Sequence, residues 1–221
     1  MNYKIFENVD KYIERLLIPQ DEALLKAEES LVTENIPLIS VSPNQGKLLQ
    51  ILAMSCNAKR ILEIGTLAGY STIWLTRALP EDGKLITIEF DSHHAEVAKK
   101  NITRAGLEDK VTIINGKAMD VLEKMLGDKE EPFDFIFIDA DKPPYTKYFQ
   151  LAMRLSHKGT IIIADNVIRD GEILDENSSD EKVIGVQRFN KFLSDCKEVN
   201  ATILQTVGVK EYDGMAIAVV K

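Results

Sequence analysis

Apolar positions Ile5, Val9, Ile13, Leu16 and Leu17 recur at helical spacing and open a helical segment that reaches residue 57. A second helix is expected from near Asp21 to Glu34, entered after Pro19. A third follows Ser42-Pro43, with serine as the cap and proline at the first helical position. From residue 58 the pattern changes. Short apolar runs at 60–64, 85–90, 111–114, 133–138 and 160–164 alternate with amphipathic stretches at 70–78, 93–105, 120–126 and 145–155. Nearly continuous apolar strands joined by helices predict a parallel sheet covered on both faces. After a helix over 182–193, the runs 201–207 and 215–220 read as two strands. Their connection, 208–214, is short enough for an antiparallel hairpin. The expectation is an α/β fold: one domain over 1–221, with helices over 1–57 and, over 58–221, a seven-stranded, mostly parallel sheet.

Composition narrows the partners. Apolar residues make up 45% of the 221, enough for a full core, and charged residues make up 28%, as on a soluble surface. The net charge of -8 argues against a general nucleic-acid binder, which needs a basic field to neutralise phosphates. Cys56 and Cys196 form no CxxC pair and no zinc spacing, and read as small apolar residues in a reducing compartment. The first residues lack an apolar signal core, and no stretch is long and apolar enough to span a membrane. A cytoplasmic location is expected.

The first strand runs into a turn, Glu63-Ile64-Gly65-Thr66-Leu67-Ala68-Gly69-Tyr70-Ser71, where a helix begins. Glycine here lets a ligand approach the backbone, and the helix start offers free N–H groups. The next strand ends in Glu89, 24 residues after Gly65, where a carboxylate can accept both hydroxyls of a ribose. The spacing is GxxxG rather than the GxGxxG of dinucleotide binders. It leans toward S-adenosylmethionine, which has no phosphate to cradle. Glu63, Gly65, Thr66, Gly69 and Glu89 are therefore donor-site candidates. Taken alone, the glycines could serve only a tight turn, and Glu89 could be a solvated strand end.

The fourth strand runs into Asp139-Ala140-Asp141-Lys142, and the fifth into Asp165-Asn166. Ligands bind at this carboxyl edge in open α/β sheets, and the two strands are expected to be neighbours. Asp139, Asp165 and Asn166 make a hard, all-oxygen set that suits Mg²⁺, with Ca²⁺ or Mn²⁺ as alternatives. An ammonium beside such a cation gives up its proton more readily, so Lys142 is the candidate general base. The bland alternative is a helix cap and a turn. Both pairs together with Gly65 and Glu89 make that coincidence improbable.

In this order the segments ILEIGTLAGYST, LITIEFD, FIFIDADK and IIIADNV resemble the cation-dependent O-methyltransferases, among them the catechol and caffeoyl-CoA enzymes. The likeness runs from about Val41 to the carboxyl end. It implies a Rossmann-like S-adenosylmethionine-dependent methyltransferase domain and a small vicinal-dihydroxy aromatic acceptor. By that resemblance Asp139, Asp165 and Asn166 match metal ligands, Lys142 the base and Glu89 the ribose contact. Gly65 and Ser71 match contacts to the methionine part of the donor. Val41 matches a further donor contact, Ala118 falls beside the adenine, and Asp139 touches donor as well as metal. DADK is nearer the caffeoyl-CoA and bacterial branches than the DHWK of the animal catechol enzyme. Val207 falls where that enzyme has a glutamate near its substrate, so catechol itself is not implied as the acceptor. Homodimers are implied by the bacterial branch.

Loops at 37–41, 143–145 and 167–179 are expected to line the acceptor pocket, the last of them polar and mobile. Arg169 either meets an anionic substrate or is a solvated loop arginine. Tyr145 and Tyr148 either pack on the acceptor or belong to the core or surface. His93 and His94 read as surface residues, His157 as the mark of a helix end, and Trp74 and Met54 as packing residues. Three other functions compete: methylation of a tRNA wobble hydroxyuridine, a nicotinamide-dependent oxidoreductase, and a non-catalytic donor-binding protein. The negative charge disfavours the first, GxxxG with DADK/DN the second, and the intact ligand set with Lys142 the third.

Overall fold

The computed structural model describes residues 3–221. Three helices come first: α1 (Tyr3–Leu17), α2 (Glu22–Thr33) and α3 (Pro43–Ser55). Asp21 caps α2 by accepting from Leu24 N. Ser42 and Gln45 form a reciprocal capping box on α3, with Pro43 in its first turn. The alternating part follows: β1 (Arg60–Ile64), α4 (Tyr70–Thr76), β2 (Lys84–Glu89), α5 (Ser92–Arg104), β3 (Val111–Asn115), α6 (Ala118–Gly127), β4 (Phe133–Ile138), α7 (Tyr145–Arg154) and β5 (Ser156–Asp165). A 3-10 helix (Arg169–Leu174), α8 (Glu181–Asp195), β6 (Val199–Gly208) and β7 (Glu211–Val220) complete the chain.

The seven strands lie in the order β3-β2-β1-β4-β5-β7-β6. The first five are parallel, β7 runs antiparallel to β5, and β6 antiparallel to β7. The order reverses between β1 and β4, the place where open α/β sheets bind ligands. Alternate strand residues feed two cores. Leu62, Ile64, Ile136 and Ile138 pack with Phe149 of α7 and Phe189 of α8. Ile61, Phe135 and Phe137 pack with Leu24, Leu49 and Trp74 on the other face. No helix of the described residues is long and apolar enough to cross a membrane.

Three local expectations are corrected. Residues 208–214 do not form the hairpin connection. The strands continue until only Val209 and Lys210 turn, and Asp213 pairs with Thr206. Backbone pairing extends through these polar residues because an edge hairpin leaves their side chains free to reach water. Met54 is 56% exposed, because Leu49 and Ala53 set the buried face of α3 and Met54 lies one residue, about 100°, off it. His157 lies in β5, since α7 has already ended at Arg154, and its Nε2 sits 2.8 Å from Asp134 Oδ1. The apolar stripe of α1 forms its helix but buries none of its residues.

Candidate active site

Gly65 continues β1 past its last residue and donates from N to Ile88 O at 3.0 Å. Its φ is +97°, and a Cβ there would lie 2.0 Å from the carbonyl oxygen of Asp139. Only glycine lets these two strand ends meet. Gly69, φ +83°, then opens α4. Glu89 is built into the turn. Its Oε2 accepts from Thr66 N (3.1 Å) and Leu67 N (2.8 Å), and its Oε1 from Asp91 N (2.9 Å). A carboxylate has roughly four acceptor sites, so three bonds fix Glu89 and leave room for a ligand donor. Glu63 is fully buried and accepts from Ser71 Oγ, Thr72 Oγ1 and Thr87 Oγ1 at 2.6, 2.5 and 2.7 Å. Burial pushes its carboxyl up to about 7 despite those three donors.

On the other side of the order reversal, Asp139 follows β4 and donates from N to Ile64 O at 2.9 Å. Ile138 and Ala164 are in register, so Asp139 and Asp165 stand side by side at neighbouring strand ends. Burial, with the Asp139 charge adding to it, pushes the Asp165 carboxyl up to about 7. Asn166 follows in the left-handed region, φ 58°, its N donating to Asp165 Oδ1 at 2.8 Å. Lys142 is 6% exposed. Its Nζ donates to Asp139 Oδ1 (3.1 Å), Tyr145 OH (2.7 Å) and Asp165 O (3.1 Å). No group of three His, Cys, Asp or Glu suited to a metal gathers among the described residues. A cation here would therefore rest on two carboxylates and the Asn166 amide. That hard oxygen set fits Mg²⁺, and a divalent charge would relieve the crowding of buried Asp165 by half-buried Asp139.

Both halves open onto one cleft of about 1310 Å³. Val41, Gly65, Thr66, Ser71, Glu89 and Ala118 line it, as do Asp139, Lys142, Asp165 and Asn166. Glu63 and Gly69 do not line it. Glu63 lies beneath, holding Ser71, and Gly69 shapes the start of α4. Val207 also lies off the cleft lining, while Asp213 is on it. The segment 167–179 is not a bare loop. It folds into the 3-10 helix, and Gln187 of α8 holds it by donating to Ile173 O and Asp175 O at 3.1 and 2.8 Å.

Several contributors were not legible beforehand. His94 lines the cleft, with Nδ1 3.7 Å from Glu89 Oε1, although it reads as a surface residue. Tyr145 is buried beside Lys142 and lies off the cleft lining, whereas Tyr148 reaches the cleft and donates to Asp141 Oδ1 at 2.6 Å. Gly185 allows α8 to rest on Lys142, since a Cβ would lie 2.5 Å from the Lys142 carbonyl oxygen. A glycine amid the helical pattern of 182–193 was the one available signal, because it marks close backbone approach.

Comparison with known proteins agrees with this architecture. The sequence model of the O-methyltransferase family matches residues 18–219, and the chain belongs to that family. A catechol O-methyltransferase of Niastella koreensis is 62% identical over 221 residues, covering all of both chains. The O-methyltransferase from Bacillus cereus, solved in complex with SAH, superposes with a TM-score of 0.97 at 47% identity, over 99% of this chain and 100% of that one. The O-methyltransferase TomG from Streptomyces achromogenes, involved in tomaymycin synthesis and solved with SAM, gives 0.97 at 43% identity, over 100% and 99%.

Proposed function

We propose that this protein transfers the methyl group of S-adenosylmethionine to one hydroxyl of a vicinal-dihydroxy aromatic acceptor, with a divalent cation held by Asp139, Asp165 and Asn166. One observation carries the reading: two carboxylates stand at adjacent strand ends on one cleft, Asn166 follows one of them, and a buried lysine amine lies 3.1 Å from the other. The donor-bound relatives support the choice of donor. The name of the Niastella koreensis relative, a catechol O-methyltransferase at 62% identity, supports keeping catechol among the acceptors to be tried.

The donor half is set by Glu89 for the ribose hydroxyls and by Gly65, Thr66 and Ser71 for the amino-acid part. Ala118 and Val41 border the remaining surface. A bound cation supplies Lewis-acid charge that favours the ionised form of the acceptor hydroxyl. Lys142 acts on the proton. Its Nζ is held within hydrogen-bond distance of Asp139 Oδ1, Tyr145 OH and Asp165 O. The neutral amine then takes the hydroxyl proton at Nζ, while Tyr145 OH and Asp165 O fix its position. The acceptor oxygen attacks the methyl carbon, the carbon–sulfur bond breaks, and the electron pair stays on the sulfur of adenosylhomocysteine. Positioning supplies most of the gain, since effective molarities reach about 7–11 kcal/mol.

Activity with labelled donor on catechol and related vicinal phenols, with and without EDTA, tests this. Chelation is expected to lower turnover by at least about 100-fold, and added Mg²⁺ to restore it. Full activity in EDTA would overturn the metal assignment. The exposed apolar side chains of α1, including Ile5, Val9 and Leu16, support a homodimer in which a second copy covers them. Sedimentation at micromolar concentration is expected to give twice the 24.8 kDa chain mass.

A further inference from the structure

We propose that Arg169 recognises an anionic substituent of the acceptor, a carboxylate or a phosphate ester, and so selects among vicinal-dihydroxy aromatics. The inference rests on the O-methyl-transfer reading of the site. Its first ground is the backbone. Asn166, Arg169 and Asp170 have φ of 58°, 54° and 53°, so three residues with side chains adopt the left-handed conformation within five positions. Such strain persists only where the surroundings dictate it. Here Asp213 does so. Its Oδ1 accepts from Ile168 N, Arg169 N and Gly214 N at 2.9, 3.0 and 2.8 Å. The segment that carries Arg169 is thus clamped directly after the Asn166 ligand, with the arginine on the cleft.

The second ground is an unmet polar atom. Arg169 Nε is shielded from water and has no hydrogen-bond partner. Arg169 forms no ion pair among the described residues, and neither do Lys182 and Lys210, which reach the same cleft from α8 and from the hairpin turn. Buried N–H groups usually have partners, so a missing one marks a place for a ligand acceptor. The nearby acids do not supply it. Asp213 is engaged by three N–H groups and Asp141 by Tyr148, while Asp139 and Asp165 face the cation position. Asp170 and Glu211 are exposed, where water screens them. The planar guanidinium suits a carboxylate or phosphate, which it can meet with paired N–H bonds. Space permits this. The cleft of about 1310 Å³ exceeds the roughly 300–1,000 Å³ of a site for one small molecule.

The test compares 3,4-dihydroxybenzoate, its neutral methyl ester and 3,4-dihydroxyphenethyl phosphate on wild type, Arg169→Lys and Arg169→Gln. Binding is measured by calorimetry in the presence of adenosylhomocysteine and Mg²⁺, and kcat/KM alongside it. In wild type the anionic acceptors should bind better than the ester. Arg169→Gln should lower the anion-to-ester affinity ratio by about 10- to 100-fold, the worth of a charge-assisted bond, and Arg169→Lys should restore part of it. The acid and the phosphate arms tell which anion is preferred. A ratio that stays unchanged in Arg169→Gln, or one that falls equally in both variants, overturns the proposal. Because binding is read apart from turnover, a protein that binds all three but methylates none sinks the transfer reading and still decides this one.

Discussion

The two sides of the order reversal are finished to different degrees. On the β1–β2 side every acidic group is already answered by the protein: Glu89 by three backbone N–H groups, Glu63 by three hydroxyls. On the β4–β5 side the carboxylates of Asp139 and Asp165 stand side by side, the Asp139 charge helping to raise Asp165, and the backbone beyond them is left-handed at three residues with side chains. The lesson is a division of labour. One side is preorganised to grip a constant donor, and the other holds crowded carboxylates that, in the proposed function, a cation and an acceptor would complete. Preorganised dipoles cost nothing to reorganise during reaction, whereas unbalanced groups give selectivity because only the right ligand satisfies them.

The largest effect that could break this contrast comes from Lys142→Ala. Turnover should fall by about 10²- to 10⁴-fold, while donor affinity measured by calorimetry stays within about 2-fold of wild type. Equal loss of both would mean the sides are not separable. Next is Gly65→Ala, which strikes the seam itself. A left-handed alanine with its Cβ driven into the Asp139 carbonyl should cost about 3 kcal/mol or more, seen as a lower urea midpoint together with weakened donor binding.

Glu63 sharpens the comparison through pH. Its folded value of about 7 lies above the ordinary 4.5. Below about 4.5 both folded and unfolded chains hold the proton. Between there and 7 only the folded chain keeps it, so stability falls as pH rises and levels off above 7. Glu63→Gln should remove up to about 3 kcal/mol of that decline, read from urea unfolding at pH 5 and pH 8. A wild-type-like decline in the variant would place the effect elsewhere. The smallest effect lies far from both halves. Asp134 and the Lys158 carbonyl raise the His157 pKa above 6.5, with the carbonyl the larger cause. Its contribution is complete below about 6.5 and is lost as pH rises through the raised folded value. For this half-exposed pair, His157→Gln should cost about 0.2–1 kcal/mol at pH 6 and nothing at pH 9, by the same urea measurement.

Much of the sheet was legible because buried parallel strands leave unbroken apolar runs, and β1 and β4 begin and end where those runs do. The residues that project from strand ends, such as Asp139, Asp165 and Glu89, were legible for the same reason. What escaped depends on contacts distant in sequence. Asp213 looked like part of a connection, yet it holds Arg169 from 44 residues away. His94 looked solvated because nothing local shows that the helix start faces Glu89. Glu63, a donor-site candidate, proved to be a buried support, since alternation along β1 alone does not separate a residue in the cleft from one beneath it. Met54 failed for a reason of phase: neighbours along the chain point to opposite environments when one stripe of a helix is covered.

The contact between Gly65 and the Asp139 carbonyl limits how this scaffold can diversify. Because the two halves of the cleft meet where Gly65 packs on the Asp139 carbonyl, neither can be enlarged there without dragging the other along. New substrate ranges must therefore arise at the rim, in the 3-10 helix, the hairpin turn and the stretch before α3. An engineer seeking different acceptors would vary those three and leave the floor alone.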